Sequence, residues 1–156
     1  MSDFLRREIH QKRPFGSLEE EAFLNLQRTA GILFQELARF LKPYRLTPTQ
    51  YNALRILRGS HPESLACREV GRRMVTPVPD VTRLLDRLER QGAVERVRDP
   101  EDRRVVRVRV SYRGLEMLEE LDGPLDSWVR KRLSVLGEEE LRLLVDSLGK
   151  LRVRHS

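Results

Sequence analysis

The chain has very little of several features that particular classes of protein require. Cys67 is the only cysteine in 156 residues, so no intramolecular disulfide framework forms, and a reducing cytoplasm is the expected location. No apolar run approaches the roughly 20 residues of a membrane-spanning helix, and no signal-peptide pattern opens the chain. We therefore expect a cytoplasmic protein without a membrane partner.

Groups that carry catalysis or bind metals are also scarce. The three histidines, His10, His61 and His155, are scattered along the chain. No serine lies in a nucleophile elbow, and there is no glycine-rich phosphate loop. No local set of histidine, cysteine and carboxylate residues has the spacing of metal ligands, which leaves open only a site assembled between subunits. We expect neither an enzyme nor a protein with a cofactor or metal.

Positive charge, by contrast, is abundant. The net charge is +6 and the isoelectric point is near 10.1, which favours a polyanionic partner. Arginine greatly outnumbers lysine, and its guanidinium group suits bidentate contacts with phosphate or guanine. Hydrophobic residues make up 39% of the chain, enough for a core if they are well patterned.

The stretch from Thr76 to Gly114 organises the rest of the chain, and it opens with a short helix. Apolar residues at i, i+3, i+4 and i+7 predict one buried face: Val81, Leu84, Leu85 and Leu88. The opposite side carries residues able to bond base edges or phosphates: Thr82, Arg83, Asp86, Arg87 and Arg90. We expect the helix to begin near Pro79, because a proline has no N–H to donate, and to end at Gly92.

A basic hairpin is predicted to follow this helix. Valines alternate with arginines from Val106 to Val110, the period of a half-buried strand with a cationic outer face. The turn at 99–104 projects the guanidinium groups of Arg103 and Arg104. A helix for the major groove followed by a basic hairpin is a winged helix-turn-helix.

Three predicted helices precede the recognition helix. The first begins with a capping box at Ser17 and is stopped by Pro43. The second begins with another capping box at Thr47 and stops at Gly59. The third is a short helix from about residue 66 to 73, in which Gly71 indicates close packing against a neighbouring helix.

Two more helices are predicted after the wing. Ser111 caps a long one that Pro124 kinks without ending and that residues 136–137 close. The last helix begins at Glu138 and extends to Arg154, with charges that suit the helix dipole. These helices lie outside a minimal winged helix, and with the first long helix they are expected to build a two-fold dimer interface.

The expected fold is therefore mainly α with a small β-hairpin wing. A winged helix-turn-helix DNA-binding domain spans residues 45–111, and a helical dimerisation region comprises residues 1–44 and 112–156. For the first long helix, subunit contact and ordinary core are both open. Residues 1–16 form either a short helix on a partner subunit or a loose basic arm.

At this point the chain resembles the MarR family of bacterial transcriptional regulators over nearly its whole length. Residues 102–104 match the family's wing signature D-x-R, and Val110, Ser111 and Gly114 stand where the family usually has L-T-x-x-G. The segment 77–79, with its two prolines, departs from the usual start of the recognition helix. The resemblance implies a homodimer on a pseudo-palindromic operator, usually a repressor released by a small ligand or by oxidation.

Geometry and resemblance agree on the residues expected to contact double-stranded DNA. The major groove is expected to receive Pro79, Asp80, Thr82, Arg83 and Arg87, with Arg83 reading a guanine. At the wing tip, Arg103 or Arg104 enters the minor groove and Asp102 orients a wing arginine. The phosphate contacts are Arg72, Arg73 and Thr76.

The sequence leaves open two alternative functions and the presence of an effector ligand. The chain is alternatively an architectural or low-specificity DNA-binding protein, or a redox-sensing regulator using Cys67, although residues 1–42 contain no cysteine. The resemblance implies an aromatic or phenolic effector in a crevice between the dimerisation region and the winged helix. By order along the chain, the residues near this crevice are Phe40, Tyr44, Arg45 and Tyr51, of which Phe40 and Tyr51 are alternatively plain core.

Overall fold

The computed structural model describes residues 4–99, 101–102 and 104–153, and these residues form a mainly helical chain with a small antiparallel sheet. The α-helices are α1 Phe4–Glu8, α2 Leu18–Leu41, α3 Pro48–Arg58, α4 Cys67–Arg73, α5 Val81–Arg90, α6 Tyr112–Leu133 and α7 Glu138–Val153. A 3-10 turn spans Lys42–Tyr44. The strands are β1 Leu65–Ala66, β2 Val94–Arg98 and β3 Val106–Val110. The predicted fold class, a winged helix with additional terminal helices, is confirmed.

Side-chain caps fix the starts of α2 and α3. The Ser17 hydroxyl accepts a hydrogen bond from the Glu20 amide, but the Glu20 carboxylate accepts from the Gly16 amide rather than from Ser17. At α3 both bonds of the capping box are present: Thr47 accepts from the Gln50 amide at 3.2 Å, and Gln50 accepts from the Thr47 amide at 2.9 Å. Both predicted helix starts are confirmed.

The sheet has the strand order β1-β3-β2, with both pairs antiparallel. The predicted hairpin is formed by β2 and β3, in the register that pairs Val94 with Val110. On the other side of β3, Leu65 of β1 pairs with Val108. Strand β1 is not predictable from the sequence, because two residues are too few to show the alternation of a strand.

The core lies between the helices of the winged domain, the sheet and α6. Its largest fully buried side chains come from α3, α4, α5, β3 and α6, with one from the end of α2: Leu41, Leu54, Leu57, Val70, Leu85, Leu88, Val108, Leu118 and Leu121. The valine alternation of β3 holds only in part. Val108 is buried between two strands, whereas Val106 pairs with β2 alone and is 43% exposed.

Two predicted helix boundaries differ from the structure. Helix α5 begins at Val81 rather than near Pro79, because the Asp80 carboxylate caps it and accepts from the Arg83 amide at 2.8 Å. Helix α6 ends at Leu133 rather than at residues 136–137. It passes through Pro124 without ending, as predicted. Arg154, the expected end of α7, lies outside the described residues.

Among the described residues, two ion pairs attach α6 to the rest of the chain. Arg58 of α3 forms a bidentate pair with Asp122 of α6, with N–O distances of 2.7 and 3.0 Å. Farther along α6, Arg132 donates to Glu36 of α2 at 2.5 Å. The winged domain and α2 are therefore both joined to the same long helix.

Helices α2 and α7 leave much of their apolar surface uncovered in the single subunit. Helix α7 has no buried residue, and the only buried residue of α2 is Leu41. Large side chains with at least two-fifths of their surface exposed include Leu18, Phe23, Leu26, Phe34, Leu143, Leu144, Val145 and Leu151. Each of these two helices therefore presents an apolar face that the described part of the chain does not cover.

Of the N-terminal segment 1–16, residues 4–8 form a short helix, and residues 1–3 lie outside the described residues. In α1, Leu5 is 2% exposed, and Glu8 forms an ion pair with Arg28 of α2 at 3.6 Å. Helix α1 therefore packs against its own chain. Within the described ranges, no helix combines the length and the apolar character needed to cross a bilayer.

Candidate nucleic-acid interface

The recognition helix α5 is held against α4 by a close approach at Gly71. A Cβ atom at Gly71 would lie 2.9 Å from Cγ2 of Val81, so a larger residue would push the two helices apart. The close packing that the sequence indicates at Gly71 is confirmed. This contact fixes the first turn of α5 relative to α4.

A buried asparagine holds the turn between α4 and α5. Asn52 of α3 is 8% exposed, and its Oδ1 accepts a hydrogen bond from the Val75 amide at 2.8 Å. Beyond this anchor, Thr76, Pro77 and Pro79 are exposed. Sequence analysis missed Asn52, although a polar residue amid the buried positions of α3 was a signal for such an anchor.

The outward face of α5 presents two arginines to solvent. Arg83 and Arg87 are exposed, and neither forms an ion pair with any residue that the structure describes. Thr82 is exposed beside them, as predicted for the groove-facing side. Asp80 lies at the same end, but one of its carboxylate oxygens caps the helix.

Arg96 of the wing joins β2 to the recognition helix. Its guanidinium group donates to the Asp86 carboxylate and to the Thr82 carbonyl oxygen, the latter at 3.3 Å, and lies 3.6 Å from the Glu89 carboxylate. Asp86 therefore binds the wing, whereas the sequence placed it among residues able to bond DNA. Sequence analysis missed Arg96, because strand alternation alone gives an arginine no partner.

The outer face of β3 is less cationic than its sequence suggests. Arg107 is half-buried and donates to the Ser64 hydroxyl at 3.0 Å and to Asp99 at 3.1 Å. Arg109 pairs with Glu95 of β2 at 2.8 Å. The two arginines alternate with the valines of β3 as predicted, but carboxylates on neighbouring segments pair with both guanidinium groups.

The turn at the wing tip is organised by two aspartates. Asp99 Oδ1 accepts from the Glu101 and Asp102 amides at 2.9 and 3.1 Å. These amides and the Arg107 guanidinium stabilise the charged carboxylate, so the pKa of Asp99 is lowered.

Asp102 acts on the backbone of the same turn, since its Oδ1 accepts from the Arg104 amide at 2.9 Å. Arg104 is exposed. Arg103, the other predicted minor-groove residue, lies outside the described residues. Orientation of a wing guanidinium by Asp102 therefore stays a prediction.

The predicted phosphate contacts on α4 share one carboxylate. Glu69 lies 2.7 Å from Arg73 and 3.9 Å from Arg72, and the hydrogen bond from Arg73 is the main reason that the pKa of Glu69 is lowered. Arg73 also donates to the Ser60 hydroxyl at 3.3 Å. Arg72 is the more exposed of the two arginines and keeps most of its guanidinium available.

Arg68 is an exposed cation that the predicted contact set did not include. It lines one open cleft with Thr82 of α5, Arg96 of β2 and Arg104 of the wing. Cys67 lies in the same cleft, and its thiol donates to the Val106 carbonyl oxygen at 3.5 Å. Burial raises the pKa of Cys67, which disfavours the reactive thiolate.

An apolar cavity of about 180 Å³ lies between α2, α3 and the turn before α5. It is lined by Phe34, Leu37, Pro48, Thr49, Tyr51, Asn52, Arg55, Met74, Val75 and Thr76. Of the residues that chain order placed near an effector crevice, only Tyr51 lines this cavity. Phe40 packs against Trp128 with ring centroids 5.5 Å apart, and Tyr44 and Arg45 line a different cleft.

Residues 46–106 match the model of the MarR family. The regulator YsmB of Bacillus subtilis, an uncharacterised helix-turn-helix transcriptional regulator, is 30% identical over 128 residues, which cover 82% of this chain and 86% of YsmB. This chain belongs to the MarR family. It is therefore a DNA-binding transcriptional regulator and not an enzyme, as predicted.

Solved structures of MarR-type regulators have the same fold. A MarR transcription factor from Planctomyces limnophilus is 38% identical, with a TM-score of 0.68, and the match covers 87% of this chain and 98% of that one. The organohalide-sensing regulator RdhR, solved with 2,4-dichlorophenol bound, is 19% identical with a TM-score of 0.82. That match covers 93% of this chain and 88% of RdhR.

Proposed function

We propose that this MarR-family regulator is a cytoplasmic homodimer that recognises a pseudo-palindromic operator, represses transcription there, and is released by a small aromatic or phenolic effector. The observation that carries the proposal is the pairing of two features within one subunit. Helix α5 presents Arg83 and Arg87 to solvent beside a wing that Arg96 joins to it. Helices α2 and α7 present apolar faces that the subunit does not cover.

The uncovered apolar faces support association of two identical subunits. Side chains such as Phe23, Leu143 and Val145 are each more than half exposed, although monomeric proteins rarely expose large contiguous apolar patches. A two-fold interface between copies of α2 and α7 would remove this surface from water. Two recognition helices related by a two-fold axis then read two inverted half-sites.

The exposed guanidinium groups support reading of base sequence. Arg83 lies in the first turn of α5, the part of a recognition helix that contacts base edges, and we assign it a bidentate contact with guanine. Arg87 lies one turn farther on the same face. Pro79, Asp80, Thr82 and Thr76 border this face, and we assign the phosphate contacts to Arg72 and Arg73 and the minor-groove side to the wing residues Asp102 and Arg104. The assignment of Arg103 to the minor groove rests on the sequence alone.

Binding of purified protein to its own upstream DNA and to a scrambled duplex, followed by fluorescence anisotropy across a salt series, tests this part of the proposal. We expect a preference of about 10³-fold or more for the upstream DNA, with one dimer per site. Replacement of Arg83 by Ala should lower that preference by about 1–3 kcal/mol, whereas Arg130→Ala, on the far part of α6, should leave it unchanged. Equal affinity for selected and scrambled duplexes would favour the architectural alternative.

The cavity beside α3 supports release by an effector. It is large enough for a single aromatic ring, its walls are mostly apolar, and it borders the turn that Asn52 holds in front of α5. Arg55 lines it without an ion pair to any described residue, so it is suited to a phenolate or carboxylate. A ligand here would press on Met74 and Val75 and so move the start of the recognition helix.

Titration of the protein–operator complex with 2,4-dichlorophenol and with benzoate tests this step. We expect dissociation of the complex by at least one of them, and a weaker response of Arg55→Gln to benzoate than of wild type. An Arg130→Gln variant controls for the lost charge. Dissociation that is unchanged in Arg55→Gln would place the effector elsewhere. The alternative of redox control through Cys67 has no supporting observation, because the thiol is half-buried and hydrogen-bonded.

A further inference from the structure

A second cleft, of about 470 Å³, lies at the opposite end of α5 from the DNA-reading turn. It is lined by Pro43, Tyr44, Arg45, Arg90, Gln91, Arg113, Met117 and Glu120. These residues come from the corner between α2 and α3, from the C-terminal end of α5 and from the start of α6. The cleft therefore lies where the winged domain meets the long helices.

Three guanidinium groups line this cleft without a carboxylate partner. Arg45, Arg90 and Arg113 are all exposed, and none forms an ion pair with any residue in the described ranges. Elsewhere on the chain, arginines as exposed as Arg130 and Arg142 do form such pairs. Like charges gathered around one cleft repel one another, so a bound anion would relieve that repulsion.

Local contacts join the elements that line the cleft. Arg45 has a φ of +56°, in the left-handed region that is costly for a non-glycine residue, and its carbonyl oxygen accepts from Gln91 Nε2 at 3.3 Å. On the α6 side of the cleft, the stem of Arg113 lies close to Gly92, with its Cδ 3.5 Å from the point where a Cβ on that glycine would stand. The arginine stem thus packs over the glycine that ends α5.

We infer that this cleft is a binding site for a small organic phosphate, a ligand distinct from the operator. Three guanidinium groups and the single carboxylate of Glu120 give the lining a net charge of about +2, which matches a phosphate monoester at neutral pH. Guanidinium forks suit phosphate oxygens. The rings of Tyr44 and Pro43 and the side chain of Met117 supply an apolar wall for the organic part of the ligand.

The position of the cleft argues against a contact with operator DNA. Arg90 ends α5 seven residues after Arg83, so it lies about 10 Å along the helix axis from the first turn, which enters the major groove. The C-terminal end of a helix carries partial negative charge and repels an anion, but Arg90 stands at that end and offsets it. Arg113 lies in the first turn of α6, whose N-terminal end attracts anions.

Calorimetric titration of the full-length dimer with phenyl phosphate, in chloride buffers of matched ionic strength, tests the inference. We expect saturable binding that weakens about tenfold in Arg113→Gln and in Arg90→Gln, since each loses a charged hydrogen bond. Arg45→Asn should weaken it similarly, because Asn keeps the left-handed backbone. Arg130→Gln is the matched control: it removes the same charge about 25 Å away along α6 and should bind as wild type does.

Three outcomes would overturn the inference. The first is no saturation in the millimolar range. The second is equal binding by wild type and all four variants, which means nonspecific attraction to a basic protein. The third is unchanged phenyl phosphate binding combined with weaker operator binding and a smaller salt slope in Arg113→Gln, which means that the cleft contacts the DNA backbone. Equal affinity of the wild type for upstream and scrambled DNA would contradict the proposed function. That result would not change the outcome of the phenyl phosphate titration.

Discussion

Gly114 of α6 lies directly against the backbone of Ala93: a Cβ atom at Gly114 would stand 2.1 Å from the Ala93 carbonyl oxygen and 2.8 Å from Cγ2 of Val110. The same junction is closed by Ser111. Its hydroxyl donates to the Gly92 carbonyl oxygen at 2.6 Å and accepts from the Gly114 amide at 3.0 Å. Ser111 and Gly114 thus hold the end of α5, the wing and the start of α6 in close contact.

Replacing Gly114 by alanine should lower the free energy of unfolding by about 3 kcal/mol or more, because the added methyl group meets backbone that cannot move aside. Urea unfolding followed by circular dichroism measures it. Gly59→Ala is the matched control, since a Cβ there meets only ordinary contacts at 3.5 Å and the backbone is right-handed helical. Gly59→Ala should change stability by less than about 1 kcal/mol, in the stabilising direction. Equal stability of the Gly114→Ala and Gly59→Ala variants would contradict the close packing of Gly114 against Ala93.

The carboxylate of Asp80 has a structural task that two substitutions separate from DNA reading. Asp80→Ala should destabilise the protein by about 1 kcal/mol, because the Arg83 amide loses its cap. Asp80→Ser keeps a capping oxygen and removes the charge, so its stability should stay near that of wild type. Thermal unfolding of both variants measures the difference. A loss of operator preference in Asp80→Ser at unchanged stability would show that the charge itself also acts on DNA.

The bond between Arg96 and Asp86 should couple the wing to the recognition helix. A double-mutant cycle with Arg96→Met and Asp86→Asn should give a favourable coupling energy of about 0.5–1 kcal/mol in unfolding, since both side chains are only partly exposed. Arg98→Met is the control, because Arg98 lies on the same strand, is exposed, and forms no ion pair with described residues. Additive effects of Arg96→Met and Asp86→Asn would mean that the bond contributes nothing.

The lowered pKa of Asp99 predicts how the wing responds to acid. A carboxyl group whose pKa is lower in the folded than in the unfolded protein contributes stability that is complete above its ordinary pKa, 3.8 for Asp99. That contribution is lost as the pH falls through the lower, folded value. The free energy of unfolding between pH 5 and pH 2 should therefore fall less steeply in Asp99→Asn than in wild type. Parallel curves for the two proteins would contradict the role of Asp99 in the turn.

The patterns that could be predicted from the sequence are those with a strong local cause. The caps at Ser17, Thr47 and Ser111 and the left-handed Gly92 each depend on a few neighbouring residues, and the structure confirms them. The buried face of α5 follows from a helical period that no partner has to supply. Family membership, and with it the DNA-binding function, followed from the same local signatures.

The features that could not be predicted depend on which residues meet across the fold. Strand alternation placed Arg107 on a cationic surface, but the carboxylate of Asp99, eight residues earlier, folds back to it. Asp86 had the right position for DNA and instead meets Arg96 of the neighbouring strand. Asn52 reaches Val75 across 23 residues. The periodicity of a sequence predicts the side of an element on which a side chain lies. It does not predict which charged group of another element lies opposite that side chain.

The direct passage from β3 into α6 has a mechanical consequence. Only Ser111 separates the last residue of the wing strand from the first residue of a 22-residue helix, and that serine is hydrogen-bonded on both sides. Helix α6 is about 33 Å long, and its N-terminal end is attached directly to the wing. A tilt of α6 by about 5° about Ser111 displaces the far end of the helix by about 3 Å. Conversely, a shift of a few ångströms at the far end of α6 turns the wing by only a few degrees, which is a small change of its angle over the DNA.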